Sequence, residues 1–222
     1  MKGKRKDLSA AVHDGKRKEL PSAVHDGVEY RTGDTVLINP DAQAPAYIAK
    51  INKFVALSSD PKDVELEVTW FYRPEEAIGG RKAFHGEAEV FASDHQDKAP
   101  LAAILGRCTV HDIEKYEAST MLRERTEADF YCRFKYFASK KQFDPDRVPV
   151  YCLCELPYNP DRPMVMCDSC EEWYHPQCLR LAQNVLREDH FTCPTCNERQ
   201  AKKPRAAASG GVTAAAAATT VA

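Results

Sequence analysis

No run of about eighteen apolar residues occurs in the chain, and no apolar segment follows its basic N-terminus; neither a membrane-spanning helix nor a secretory signal is expected. An excess of one charge sign is also missing. Charged residues make up 29% of the 222 positions, yet the formal net charge is only −2, so the chain as a whole is not a polyelectrolyte. No phosphate-cradling glycine loop and no nucleophile–base pair can be picked out, which removes the usual footholds for an enzyme. These absences predict a soluble protein of a reducing, intracellular compartment.

What the chain does have is cysteine. Seven of its nine cysteines fall with one histidine into four pairs: Cys152 and Cys154, Cys167 and Cys170, His175 and Cys178, Cys193 and Cys196. Paired soft ligands a few residues apart suit tetrahedral zinc, because one tight turn presents two side chains while the second pair arrives from elsewhere. Eight ligands make two zinc sites, and four protein ligands at each leave no open position for a catalytic water. A histidine in one ligand slot and the lack of a signal segment weigh against a disulfide framework. Cys108 and Cys132 have no paired ligands and read as buried, inert thiols.

The order of the ligands is more informative than their number. Four cysteines precede the histidine and three follow it, whereas a RING-type ubiquitin ligase normally carries its histidine as the fourth ligand. With Trp173 two residues before His175 and Phe191 two before the last pair, the stretch resembles the PHD finger. That resemblance implies a cross-brace, with Cys152, Cys154, His175 and Cys178 on one zinc and Cys167, Cys170, Cys193 and Cys196 on the other. It also implies a methyl-lysine cage from Tyr151, Tyr158, Met164 and Trp173, in which the Met164 thioether replaces a ring. Between Cys154 and Glu172 five acidic residues face Arg162 alone, which suits a basic peptide. Asp168 and Glu171 are the candidates for polar contacts to it.

Upstream, residues 3–14 are nearly repeated as residues 15–26. A unit this short and polar cannot bury a core of its own, so residues 1–27 are expected to form a disordered basic arm. The clusters Lys4 to Lys6 and Lys16 to Lys18 suit nuclear import or a weak nucleic-acid contact, against the plainer reading of a solvated tail. His13 and His25 belong to the repeat and are not expected to bind zinc. From Val28 the texture turns to short β-branched and aromatic runs over residues 34–39, 46–57, 64–72, 89–93, 109–113 and 131–137, several separated by turn residues. This predicts a mainly β barrel or sandwich, with helix only near Pro74 and around Asp112 to Ala118.

The series GDTVLI, PAYIAKI, VTWFYRPEEA, EVFASDH and CRFKYF is similar to the bromo-adjacent homology (BAH) domain. The predicted fold is therefore a distorted β-barrel BAH domain over residues 28–145, a small two-zinc cross-brace PHD finger over residues 149–200, and disordered arms at 1–27 and 201–222. A BAH domain followed directly by a PHD finger resembles the plant BAH-PHD chromatin readers. Reading a trimethyl-lysine requires a cage, since a quaternary ammonium donates no hydrogen bond and is held by aromatic faces at about 0.5–2 kcal/mol each. Here the resemblance points to Tyr47, Trp70 and Tyr72, with His95 contacting the flanking histone segment. From alternation alone, Trp70 and Tyr72 merely continue the apolar face of Val64, Leu66 and Val68, and Phe71 points the other way into a core.

The resemblance implies a nuclear, non-catalytic reader of histone H3 tails on nucleosomes that acts with chromatin-modifying complexes of unknown identity. Its BAH cage would take the repressive trimethylated lysine twenty-seven, and its finger the trimethylated lysine four. The alternatives are a ubiquitin or SUMO ligase working through the zinc finger and a DNA-binding regulator working through the basic arm.

Overall fold

The computed structural model describes residues 17–40, 44–121 and 125–202. The chain divides into two units: one runs to Tyr151 and takes in Glu155–Pro163, and the other consists of Cys152–Cys154 and the residues from Met164 onward.

The first unit is mainly β. Its strands are β1 (Lys18–Leu20), β2 (Ser22–His25), β3 (Val28–Arg31), β4 (Thr35–Ile38), β5 (Tyr47–Ala56), β6 (Val64–Tyr72), β7 (Glu89–Pro100), β8 (Ile104–Arg107), β9 (Thr109–His111), β10 (Asp129–Phe137), β11 (Gln142–Asp144), β12 (Val150–Tyr151) and β13 (Leu156–Pro157). One sheet runs in the order β11-β10-β7-β6-β5-β4-β8, with β1 also on β5 and β9 also on β10. Its neighbours are antiparallel except for β10, which runs parallel to β7 and β9. Register slips in β4, β5, β6 and β10 break the ladder and bend the sheet, the distortion expected of this fold. Two helical pieces fall where they are predicted, a 3-10 turn at Pro74–Glu76 and α1 at Ile113–Met121, whose first turn Asp112 closes by accepting the Lys115 N–H; a further 3-10 turn at Leu101–Ala103, after β7, is not predicted.

Alternation in β6 sorts the core onto two faces. Val64, Leu66, Val68 and Trp70 are buried with Val36, Ile38, Ala49, Ile51 and Phe54. Phe71 points to the other side, against Ile48, Val90 and Cys108, as its place in the alternation requires. Burial pushes the Cys108 thiol up to about 12, which makes it the inert thiol expected.

Two stretches differ from expectation. Residues 18–27 are not an arm: β1 pairs with Phe54–Ala56, and β2 forms a hairpin with β3. The reason is apolar burial. Ala23 is buried with Tyr30 in the main core, and Leu20 packs on it, so the second copy of the repeat covers a sheet. The first copy, with Lys4 to Lys6 and His13, and the tail from residue 203 lie outside the described residues. The other difference is β7, which continues to Pro100 through a polar run that alternation does not flag. Backbone pairing with β6 from Glu65 to Thr69 carries it, reinforced by a Lys98–Glu65 ion pair of 2.6 Å.

Burial also ties this unit's stability to pH. The Tyr131 hydroxyl is pushed up by burial and then by the Glu89 charge, and that of Tyr158 by burial and by the Glu117 carboxylate it donates to. In the unfolded chain these groups ionise near about pH 10, while the folded chain keeps their protons. Stability is therefore fully present below that range and falls as the pH rises through it. The thermal midpoint of this unit should drop between about pH 8 and about pH 11; an unchanged midpoint would mean that the phenols ionise freely in the folded state.

The second unit has little regular structure. β14 (Val165–Met166) pairs with β15 (Trp173–Tyr174), a 3-10 turn covers Gln183–Arg187, and α2 spans Pro194–Lys202. Its buried core is Cys167, Val185, Phe191, Cys193 and Cys196.

Candidate functional site: two zinc clusters and the aromatic faces

In the second unit, turns bring the paired ligands together in two groups. Cys152, Cys154, His175 and Cys178 form one, and Cys167, Cys170, Cys193 and Cys196 the other, with the ligand atoms of each lying within 4.8 Å of one another. These are the interleaved sets that the PHD resemblance implies. His175 is buried, and its Nδ1 faces Cys154 Sγ at 3.4 Å, so Nδ1 is the nitrogen offered to the cluster.

The donor chemistry fits zinc. Backbone N–H groups point at sulfur, from Cys193 to Cys167 Sγ at 3.2 Å and from His175 to Cys152 Sγ at 3.4 Å. Burial pushes the Cys167 thiol up, but the N–H groups of Cys193, Ser169 and Cys170 outweigh it and bring the thiol down to about 6. Crowding acts oppositely on its neighbours. Cys178 is pushed up to about 11 by burial and the adjacent Cys152 sulfur, and Cys196 to about 12 chiefly by the adjacent Cys193 sulfur. Sulfurs this close cannot all ionise by themselves; a divalent cation between them relieves the repulsion. The chain has two zinc-binding clusters, and zinc bound there would supply structural cross-links.

The three aromatic candidates of the first unit, Tyr47, Trp70 and Tyr72, lie on one face of β5 and β6. Trp70 pairs across the ladder with Ala49, which is fully buried in the same core. Tyr47, two residues before Ala49, projects to the same side and meets Trp70 edge-on, with ring centroids 5.7 Å apart at 71°. Tyr72, two residues beyond Trp70, receives His95, its Oη lying 2.8 Å from His95 Nδ1. Trp70 is 3% exposed, so it is a core residue as alternation reads it, while Tyr47 and Tyr72 are half-buried at the edge of that core. Asp94, beside His95, accepts from the Ala138 N–H at 2.8 Å and the Ser139 hydroxyl at 3.0 Å. These bonds outweigh the effect of desolvation and hold its carboxyl below the usual range.

The four finger residues fall in different units. Tyr151 and Tyr158 belong to the first and Met164 and Trp173 to the second. Tyr158 is engaged at both ends: its hydroxyl donates to Glu117, and its carbonyl accepts from Arg133 at 2.6 Å. Trp173 lies opposite Met166 on β15, and both are 42% exposed. Met164 and Tyr151 are half-buried. Of the acidic candidates, Asp168 accepts the Phe191 N–H at 3.1 Å, which ties its own loop to the last ligand pair. Glu171 is exposed, in the left-handed conformation at φ 59.

The sequence matches the BAH domain over residues 28–147 and the PHD-finger over residues 152–196. The chain belongs to the BAH-PHD family of chromatin proteins. It is 45% identical over 169 residues to the chromatin remodeling protein EBS of Arabidopsis thaliana, a match covering 75% of this chain and 70% of that protein. It is 42% identical over 172 residues to the chromatin remodeling protein SHL of the same plant, covering 76% and 73%. The zebrafish (Danio rerio) histone lysine demethylase PHF8 is 46% identical over only 50 residues, 22% of this chain and 5% of that protein.

Proposed function

We propose that this chain is a non-catalytic nuclear reader of methylated histone H3, with Tyr47, Trp70, Tyr72 and His95 taking trimethylated lysine twenty-seven and the finger taking trimethylated lysine four. One observation carries the first half: three aromatic side chains from two paired strands converge on one face, two of them half-buried at the rim. A trimethylammonium finds its attraction there in ring faces and in shedding methyl surface from water. In the finger, the exposed Trp173 and the acidic stretch around it suit a basic tail that adds as a strand beside β14 and β15. The relatives, chromatin remodeling proteins by name, support a chromatin partner and a nuclear location for this chain.

The test is calorimetric titration of the zinc-loaded chain with H3 peptides carrying each mark. Because Trp70 sits in the core, Tyr47→Ala is the cleaner cage variant, with Trp70→Ala beside it. Tyr47→Ala should weaken binding of the lysine twenty-seven peptide by about tenfold and leave the lysine four peptide unaffected. Trp173→Ala should do the reverse. A zinc-loaded wild-type chain that binds neither peptide would make these aromatics core and surface residues only, and would return the ligase and DNA-binding readings to the front.

A further inference from the structure

We infer that Ser93 is a positioning residue of the methyl-lysine cage, its one hydroxyl tying Trp70 on β6 to His95 on β7. The inference rests on the proposed reading of the BAH cage and adds to it a residue that touches no ligand.

The geometry begins with the ladder between β6 and β7. Thr69 pairs with Gln96 and Phe71 with Ala92, and the register shifts between them. Trp70 therefore stands opposite three residues, Ser93, Asp94 and His95, which bulge out of the pairing with β6, while on its other side Ser93 stays in register with Tyr136 of β10. A bulge re-aims side chains, and here it turns the His95 ring toward Tyr72. Something must hold so irregular a segment in one conformation. Ser93 is buried, 8% exposed, and uses its hydroxyl both ways: Oγ donates to the Trp70 carbonyl at 2.6 Å and accepts the His95 N–H at 3.0 Å. A hydroxyl is the smallest side-chain group able to donate and accept at once, and alanine at this position keeps the volume while losing both bonds. Asp94 pins the outer side of the same bulge to Ala138 and Ser139. Ser93 thus couples the strand bearing Trp70 and Tyr72 to the residue that hydrogen-bonds Tyr72.

The experiment is Ser93→Ala in the full, zinc-loaded chain. Titration with the lysine twenty-seven trimethyl peptide and its unmodified counterpart should show the trimethyl peptide bound about five- to tenfold more weakly. The preference for trimethyl over unmodified peptide should fall by the same factor, and the lysine four peptide should bind as before. A purely structural role predicts a lowered thermal midpoint with that preference intact, and this result overturns the proposal. A second readout is independent of peptide: the His95 ring resonances, followed by NMR through a pH titration, should change course in Ser93→Ala. If those curves overlay wild type, the positioning role is wrong whatever the peptides do. If they differ but wild type itself does not discriminate between the peptides, the coupling of Ser93 to His95 stands while the cage reading fails, and Ser93 then positions no methyl-lysine site.

Discussion

Removing zinc with a strong chelator will unfold the second unit and leave the sheet of the first unit standing. Three of the five residues in the second unit's buried core, Cys167, Cys193 and Cys196, are themselves members of a zinc cluster, so this core is largely its own metal site. Val185 and Phe191, with the half-buried Val165, Tyr174 and Leu179 against them, bury too little apolar surface to order a segment of this length. Structural zinc sites supply about 10–16 kcal/mol of binding free energy at neutral pH, and without it the thiols must either protonate or stay charged and crowded. Cys167→Ser should have nearly the same effect as chelation, because it removes a fully buried ligand that collects several N–H donors. Hydrogen exchange is the measurement: amide protection from Val165 to Lys202 should vanish on chelation while that of β5, β6 and β7 persists. Thiolates bind zinc and thiols do not, so acidification will make the metal easier to strip. Protection retained in α2 with both zincs gone would show that the small apolar core suffices.

How much of this was legible in the sequence depends on where the information resides. The zinc ligands were legible because coordination chemistry fixes residue type and spacing, and the paired pattern then leaves little freedom. The long strands β5 and β6 were legible because period-two alternation is a direct image of a two-faced environment. The second half of β7 was not, since its polar side chains pair through backbone and through Lys98–Glu65 rather than by burial. The strands from Lys18 to His25 were hidden for a related reason: two apolar residues, Leu20 and Ala23, are enough to dock a short strand onto an existing sheet, and a repeat unit judged alone does not show that sheet. Trp70 is a place where alternation and resemblance gave different answers, core and cage, and its position supports burial, with its ring steeply inclined to that of Tyr47. Ser93 was printed in the stretch EVFASDH and carried no signal of its own, because its partners are created by a register slip that no local pattern encodes.

The second large effect is expected from Arg133→Met, which should destabilise the first unit by about 3–5 kcal/mol, the cost of leaving a buried carboxylate without its partner. Glu89 is 1% exposed and is gripped by Arg133, with Nε at 2.7 Å from one carboxylate oxygen and Nη2 at 3.2 Å from the other. The same carboxylate accepts the Tyr131 hydroxyl at 3.1 Å and the Gly86 N–H at 3.0 Å. Gly86 has no room for a larger residue, since a Cβ there would collide with the Tyr131 hydroxyl. Arg133 gives two further N–H groups to the carbonyls of Phe84 at 2.9 Å and Tyr158 at 2.6 Å. A simple buried ion pair can often be replaced by apolar residues at no loss, but this one is the centre of a network. The double variant Arg133→Met with Glu89→Leu should therefore recover only part of the stability, because the Gly86 N–H, the Tyr131 hydroxyl and both carbonyls lose partners at about 1–3 kcal/mol for each one left unsatisfied. Arg133→Lys should also fall short, since one ammonium cannot reproduce the fork that spans the carboxylate and two carbonyls. Equilibrium urea unfolding, followed by a probe in β5 or β6, gives the differences, and exchange of the amides between Leu156 and Arg162 reports the local consequence. That segment is held to the rest of the first unit by the Tyr158 carbonyl and hydroxyl, by Asn159 Nδ2 donating to the Ala83 carbonyl at 3.1 Å, and by the Asp161 carboxylate accepting the Glu87 N–H at 2.6 Å. Loss of Arg133 should loosen it before the sheet melts, and with it the placement of Tyr158. If the double variant instead matches wild type, the charges are an exchangeable pair, and the segment is held without Arg133, by Asn159, Asp161 and the Tyr158 hydroxyl on Glu117.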